Sequence, residues 1–403
     1  MNFDTFNFHP SIMAAVRELG YTTPTPIQSQ AIPPIMQGRD VIGLAQTGTG
    51  KTAAFALPIL ERLQSGPRGC IRALVISPTR ELAEQTCEAT NNLGRRVRLH
   101  SISVYGGVSM SLQVQKLQRN PEVVAACPGR LIDHLWKGTI DLSKLEVLVI
   151  DEADRMFDMG FLPDIRNILR CILQKRQTLL FSATMPDDIQ RLAREILHKP
   201  ITVQVDRALP AKTVSHYLYP VKQHLKTALL KEILNKIQTD SVLVFTRTKR
   251  RTERVAQQLV KAGYRVASLQ GDLPQHRRQA ALTSFRNGSK KILVATDIAA
   301  RGIDVLSISH VVNYDMPESP DDYIHRIGRT GRVDKSGDAL TFVTDDDADK
   351  IRTLEQLLKA PLARVRLQGF NYSKPAPENR PRHLQRPQRV ATRRATGRQL
   401  AIK

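Results

Sequence analysis

Short apolar runs, separated by longer stretches of helical periodicity, pattern the first two hundred residues. Val41-Ile42-Gly43-Leu44, Ala73-Leu74-Val75-Ile76, Val147-Leu148-Val149-Ile150 and Thr178-Leu179-Leu180-Phe181 are apolar almost throughout rather than at alternate positions. Strands buried on both faces of a parallel sheet read this way. Between them lie helical stretches such as Ile165 to Leu173, where apolar residues recur at steps of three and four. The alternation predicts an open α/β sheet. After about residue 213 the pattern starts again, with Val242-Leu243-Val244-Phe245, Lys291-Ile292-Leu293-Val294 and His310-Val311-Val312-Asn313 as its strands.

Two α/β domains are therefore expected, over residues 1–205 and 213–367. Residues 206–212 hold Pro210 and no apolar period, which suits a linker. From residue 368 the composition shifts. Residues 371–403 contain nine Lys/Arg, four prolines and one acid, Glu378. A basic tail over 368–403 that forms no packed core is the expectation.

The length of 403 residues suits two cores, and the hydrophobic share of 41% is enough to fill them. Lys+Arg 60 against Asp+Glu 38 leaves a net charge of +22. A charge of that size points to a polyanionic partner, nucleic acid first. Cys70, Cys87, Cys127 and Cys171 form no CxxC pair, so neither a zinc site nor a disulfide framework is expected. No apolar run approaches the roughly 20 residues of a membrane helix. A soluble, cytoplasmic monomer is expected.

The strand Val41–Leu44 leads into Ala45-Gln46-Thr47-Gly48-Thr49-Gly50-Lys51-Thr52 and then a helical stretch. A glycine-rich turn between strand and helix aims backbone N–H groups at one point, and the helix dipole adds to them, so phosphate binds there. Lys51 would reach the outer phosphates of a nucleotide and the Thr52 hydroxyl would ligate Mg²⁺. About a hundred residues on, Asp151-Glu152-Ala153-Asp154 closes another apolar strand. Asp151 is placed to hold Mg²⁺ through water, and Glu152 to position or deprotonate an attacking water. The pair of segments describes a nucleoside-triphosphate hydrolase.

With Ala45 where a phosphate loop usually has its first glycine, and with about ten motifs in order over residues 1–365, the chain resembles the DEAD-box RNA helicases of superfamily 2, most of all the bacterial RhlE-type group. The resemblance implies two RecA-like domains that close on ATP and RNA. It implies that Gln28, in Gly20-Tyr21-Thr22-Thr23-Pro24-Thr25-Pro26-Ile27-Gln28, pairs with the adenine edge, and that Phe3 stacks on the base. Gln46, Thr47, Gly48, Thr49 and Gly50 would line the phosphates with Lys51 and Thr52. Ser182 and Thr184 of Ser182-Ala183-Thr184 would bond to Asp154 and couple hydrolysis to unwinding. In Tyr323-Ile324-His325-Arg326-Ile327-Gly328-Arg329-Thr330-Gly331-Arg332, His325 would touch the acidic motif, while Arg329 and Arg332 would reach the γ-phosphate. Asp304 would contact the ribose.

The same resemblance assigns RNA contacts to Arg80, Gly107 and Arg130 in the first domain, and to Arg247, Gly271, Arg278 and Thr296 in the second. Arginines, hydroxyls and glycine amides bind phosphate and sugar, so weak sequence preference is expected, with the 2′-OH favouring RNA. Cys127 stands where the family usually has Thr, which implies one hydroxyl bond fewer to RNA. Ribosome assembly and RNA decay are settings the resemblance suggests, and proteins of those pathways are candidate partners.

Overall fold

The computed structural model describes residues 2–46, 48–205, 214–237, 241–300, 308–330 and 337–376, the side chains of Ile298 and Asp321 excepted. Thr47, Asp304, Arg332, the linker at 206–212 and the tail from residue 377 lie outside the described residues.

Seven strands form the first sheet: β1 (Val41–Leu44), β2 (Ala73–Ile76), β3 (Ser101–Val104), β4 (Val123–Ala126), β5 (Val147–Ile150), β6 (Gln177–Ser182) and β7 (Ile201–Gln204). Their order is β3-β4-β2-β5-β6-β1-β7, and every pairing is parallel. Parallel neighbours need helical crossovers, and these cover both faces. One face packs Phe55, Leu57, Val149 and Phe181 among others. The other packs Leu74, Ile76, Leu148, Ile150 and Ile165. Strands buried on both sides explain why β2 and β5 are apolar at every position.

The second sheet repeats the plan with β8 (Val214–Pro220), β9 (Val242–Phe245), β10 (Val266–Leu269), β11 (Ile292–Ala295), β12 (His310–Asn313), β13 (Gly337–Val343) and β14 (Ala363–Arg364). Its order is β10-β11-β9-β12-β13-β8-β14, again with parallel pairings. The fold is thus two tandem RecA-like α/β domains.

The predicted strands at 41–44, 73–76, 147–150, 242–245 and 310–313 match the observed bounds, and β11 is shifted by one residue. The helix expected from Ile165 to Leu173 runs Leu162–Arg170, and Leu173 beyond it is 90% exposed. Among the described residues no helix is long and apolar enough to cross a membrane.

Packed structure runs past the composition shift at 368. Phe370 and Tyr372 lie edge to face at 4.8 Å and pack on the core of the second domain with Val365 and Leu367. Lys236 Nζ donates to Gln368 O at 2.8 Å, and His224 Nε2 donates to Lys374 O at 2.8 Å. Two aromatic anchors hold this strap, although the segment as a whole is polar and basic.

Candidate active site and nucleic-acid interface

The carboxyl ends of β1, β5 and β6 stand side by side, and in open α/β sheets that edge is where ligands bind. From β1 the chain turns at Gly48 and Gly50, both at positive φ, into the helix Lys51–Leu63. Gly50 has φ +93, and a Cβ there would sit 2.5 Å from Gln28 Nε2, so only glycine fits. Thr49 Oγ1 donates to Gln46 O at 2.7 Å, tightening the turn. Lys51 is buried, its ammonium donating to Ala45 O at 3.0 Å. Thr52 follows in the first turn and is half-buried.

Gln28 is 2% exposed, and both ends of its amide are engaged within the protein. Its Oε1 accepts from Thr25 N at 2.9 Å, completing the capping box of the helix Pro26–Met36. Its Nε2 donates to Gly50 O at 3.1 Å, tying that helix to the phosphate loop. Reading adenine would mean exchanging these bonds. Phe3 departs further from expectation. Its ring is 2% exposed and edge-on to Phe6 and Tyr21. Here it is a core residue with no open face for stacking, because the turn Phe3–Phe6 folds both phenyl rings inward.

Asp151 directly follows β5 and is 2% exposed. Burial pushes its carboxyl up to about 7, with the Lys51 ammonium opposing the rise. Its Oδ1 is buried and has no hydrogen-bond partner among the described residues. Glu152, 3% exposed, takes φ +53 and ψ +53, the left-handed region. For a residue with a Cβ that conformation costs on the order of 1–2 kcal/mol, the kind of strain that collects at functional sites.

Asp154 joins this motif to β6. Its Oδ2 accepts from Ala183 N at 3.2 Å, Thr184 N at 2.9 Å and Thr184 Oγ1 at 3.0 Å. Ser182 Oγ accepts from Asp154 N at 3.2 Å. Burial alone would raise this carboxyl, but the Lys51 ammonium and the Thr184 bonds outweigh it and hold it below the usual range. The structure brings Ser182 and Thr184 together with Asp154, and three of these four bonds have a backbone amide as donor.

The second domain meets this edge through the helix Pro320–Ile327. Burial, followed by the Arg155 charge, pushes His325 down to about 3, so the ring is neutral at pH 7 beside Asp154 and Glu152. Arg329 is buried near it, and a small cavity is bounded by Arg155, Asp322, His325, Arg326 and Arg329. Arg326 is structural: it grips Asp297 through Nε at 2.5 Å and Nη2 at 2.7 Å and lies over the Phe245 ring. Arg155, which no motif reading singled out, reaches across to Asp322 at 3.6 Å. Its only sequence signal is that it follows Asp154 directly.

A second cross-domain contact involves residues assigned to RNA. Arg278 Nε and Nη2 donate to Glu81 Oε1 at 2.9 and 2.6 Å, and both side chains are buried. Arg80 Nη1 donates to Gln275 Oε1 at 3.2 Å. Arg278 is therefore an interdomain tie here and offers no open face to a strand. A buried carboxylate holds a guanidinium more firmly than a solvated surface would. Gly107, at φ +85, lies under the Arg80 guanidinium, where a Cβ would clash.

Arg130 Nη1 donates to Val108 O at 3.0 Å, and Arg247 pairs with Glu318 at 2.8 Å. Lys249 lies over Gly271, and Thr296 is buried at the end of β11. Cys127 caps the helix Pro128–Trp136 without a side-chain bond. Burial, then Glu81, pushes its thiol up to about 12. It is a buried neutral thiol at the N-cap position, where a hydroxyl is the better acceptor for the free amides of the first turn. Cys127→Thr is expected to stabilise the fold by about 0.5–1 kcal/mol through the restored cap, read from the chemical-denaturation midpoint. RNA-stimulated turnover should stay unchanged, and a tenfold loss would contradict this.

The residues on this edge coincide with a family match. A DEAD/DEAH box helicase model covers residues 25–192, and a helicase conserved C-terminal domain model covers residues 225–334. The ATP-dependent RNA helicase CshA of Limosilactobacillus reuteri is 42% identical over 377 residues, spanning 92% of this chain and 76% of that protein. This chain belongs to the DEAD-box helicases. The CshA of Bacillus subtilis is 41% identical over 367 residues, with 91% and 74% covered. These relatives carry the CshA name and lend no support to the finer RhlE-type resemblance. Among solved structures, Saccharomyces cerevisiae Dbp5 bound to RNA and ADP BeF3 superposes with a TM-score of 0.82 at 29% identity, covering 90% of this chain and 95% of that one. In a DEAD-box protein the spatial neighbours of the acidic motif acquire a common context: Asp154, Thr184 and His325 stand together where the two domains meet.

Proposed function

We propose that this chain is an ATP-dependent RNA helicase, coupling RNA-stimulated ATP hydrolysis to local, non-processive strand separation or ribonucleoprotein remodelling. One observation carries the reading. Lys51, Asp151 and Glu152 of the first domain share a buried edge with His325 and Arg329 of the second, so the site is complete only when both domains are present. Relatives named as ATP-dependent RNA helicases and a like structure holding RNA and ADP BeF3 support the same reading.

In this mechanism the Lys51 ammonium leaves Ala45 O for the outer phosphates of ATP. Glu152 orients the attacking water and takes up its proton. Arg329, with Arg332, neutralises charge on the transferring phosphoryl group. Gln46, Thr47, Gly48, Thr49 and Gly50 cradle the phosphates through backbone N–H groups, and Asp304 meets the ribose. The partnerless Oδ1 of Asp151 fits a magnesium site. Asp151, through water, and Thr52 would hold the ion, whose charge offsets that of the phosphates. Asp154 relays the state of this edge to Ser182 and Thr184.

RNA lies across Arg80, Gly107, Arg130, Arg247, Gly271 and Thr296, contacted through phosphate and sugar. The protein acts as a cytoplasmic monomer, in ribosome assembly or RNA decay, and the RhlE-type likeness of its motifs is part of this reading. ATPase stimulation by RNA and DNA oligomers of matched length tests the assignment. RNA should stimulate strongly and DNA hardly at all, and equal stimulation by both would overturn the RNA assignment.

A further inference from the structure

The helix Lys249–Val260 opens with Lys249, Arg250, Arg251 and Arg254 against one acid, Glu253. Their surroundings divide these cations into two sets. Arg251 is held by Asp315 at 2.6 Å, Lys249 pairs with Asp272, and Arg247 just upstream pairs with Glu318. Arg250 and Arg254 are exposed, and among the described residues neither has a carboxylate within ion-pair reach. Glu253 itself accepts from Gln257 Nε2 at 3.4 Å.

The placement of this helix gives the free cations a direction. It starts at the carboxyl end of β9, capped by Thr248, whose Oγ1 accepts from Arg251 N. β9 neighbours β11, which neighbours β10. Those three strand ends carry Thr246-Arg247-Thr248, Thr296 and Gln270-Gly271-Asp272. Lys249 lies over Gly271, where an added Cβ would meet Lys249 Cε at 3.3 Å. The first turn of the helix therefore borders the RNA face assigned to the second domain. Steps of four and eleven residues return to the same side of a helix. Arg250, Arg254 and the exposed Lys261 thus form one ridge leading away from that face, about 16 Å long at the helical rise.

We infer that Arg250, Arg254 and Lys261 bind the phosphates of RNA lying beyond the strand held in the cleft, chiefly a flanking duplex. The inference rests on the RNA-helicase reading above. Like charges one turn apart repel in the free protein, and successive phosphates relieve that repulsion while releasing counterions. The spacing suits a polyanion with regular charge and selects for no base.

Equilibrium binding across a salt series tests this, with two RNAs: a short single strand that fills the cleft, and the same strand extended by duplex. The Arg250→Ala/Arg254→Ala double variant should bind the short strand like the unsubstituted protein. On the extended RNA it should bind about tenfold more weakly, with a plot of log K against log salt shallower by about 1.8. Arg250→Lys/Arg254→Lys should recover most of the slope, since the contact is one of charge. An unchanged slope on the extended RNA would overturn the inference and leave the ridge to an acidic protein surface. An equal loss on both RNAs would overturn it too. The unsubstituted protein separates the two levels of the reading. If RNA fails to stimulate its ATPase, the helicase reading falls; if RNA stimulates but the slope does not move, only the ridge falls.

Discussion

Glu152→Gln is expected to lower RNA-stimulated ATP hydrolysis at least a hundredfold while ATP and RNA still bind. The substitution keeps shape and volume, so the strained backbone at φ +53 and the helix after it stay as they are. What it removes is an anionic oxygen able to orient water and accept a proton, worth typically 10²–10⁴ in rate. Glu152 is 3% exposed, so bulk water has little access with which to replace it. Phosphate release under saturating RNA, with nucleotide binding measured beside it, checks the outcome. Retention of more than half the parental rate would remove Glu152 from the chemistry. Lys51→Ala should fail as completely, but with weakened nucleotide binding, because Lys51 is proposed to touch the phosphates directly.

Arg329→Ala should be nearly as damaging for a different reason. An arginine aimed at a transferring phosphoryl group contributes about 10³–10⁵ in kcat. Arg329 belongs to the second domain yet lies near His325, beside the first domain's acidic motif. Its loss should therefore abolish the RNA-stimulated component and spare nucleotide binding by the first domain. Arg329→Lys should recover little, since an ammonium cannot reproduce the planar fork. Single-turnover hydrolysis with and without RNA makes the comparison. A variant that still responds to RNA with a tenfold increase would place Arg329 outside the site.

Most of this was legible wherever one segment carried the whole signal. β1, β2 and β5 are uninterrupted apolar runs that end in chemically distinctive residues, so strand and motif marked each other. β3, Ser101-Ile102-Ser103-Val104, and β10, Val266-Ala267-Ser268-Leu269, are broken by serines. Ala125 and Ala126 give β4 little strand preference of its own. These strands exist because their neighbours pair with them, which no local window records. The cross-domain ties are illegible for the same reason. Glu81 and Arg278 stand 197 residues apart in sequence; Glu81 carries no assignment of its own, and the resemblance gives Arg278 to RNA. The resemblance pointed to Phe3 and Gln28 but could not tell what they touch in this chain. The composition shift at 368 averaged over Phe370 and Tyr372, the two rings that fasten the strap.

The buried tie between Glu81 and Arg278 has a consequence for the working cycle. Both side chains are almost dry where the domains meet, and each would take up a hydration shell were the domains to part. Opening and shutting this molecule therefore moves solvent as well as protein. Osmotic stress, which favours whichever form holds less water, should bias the molecule toward its joined form without any change in fuel or transcript.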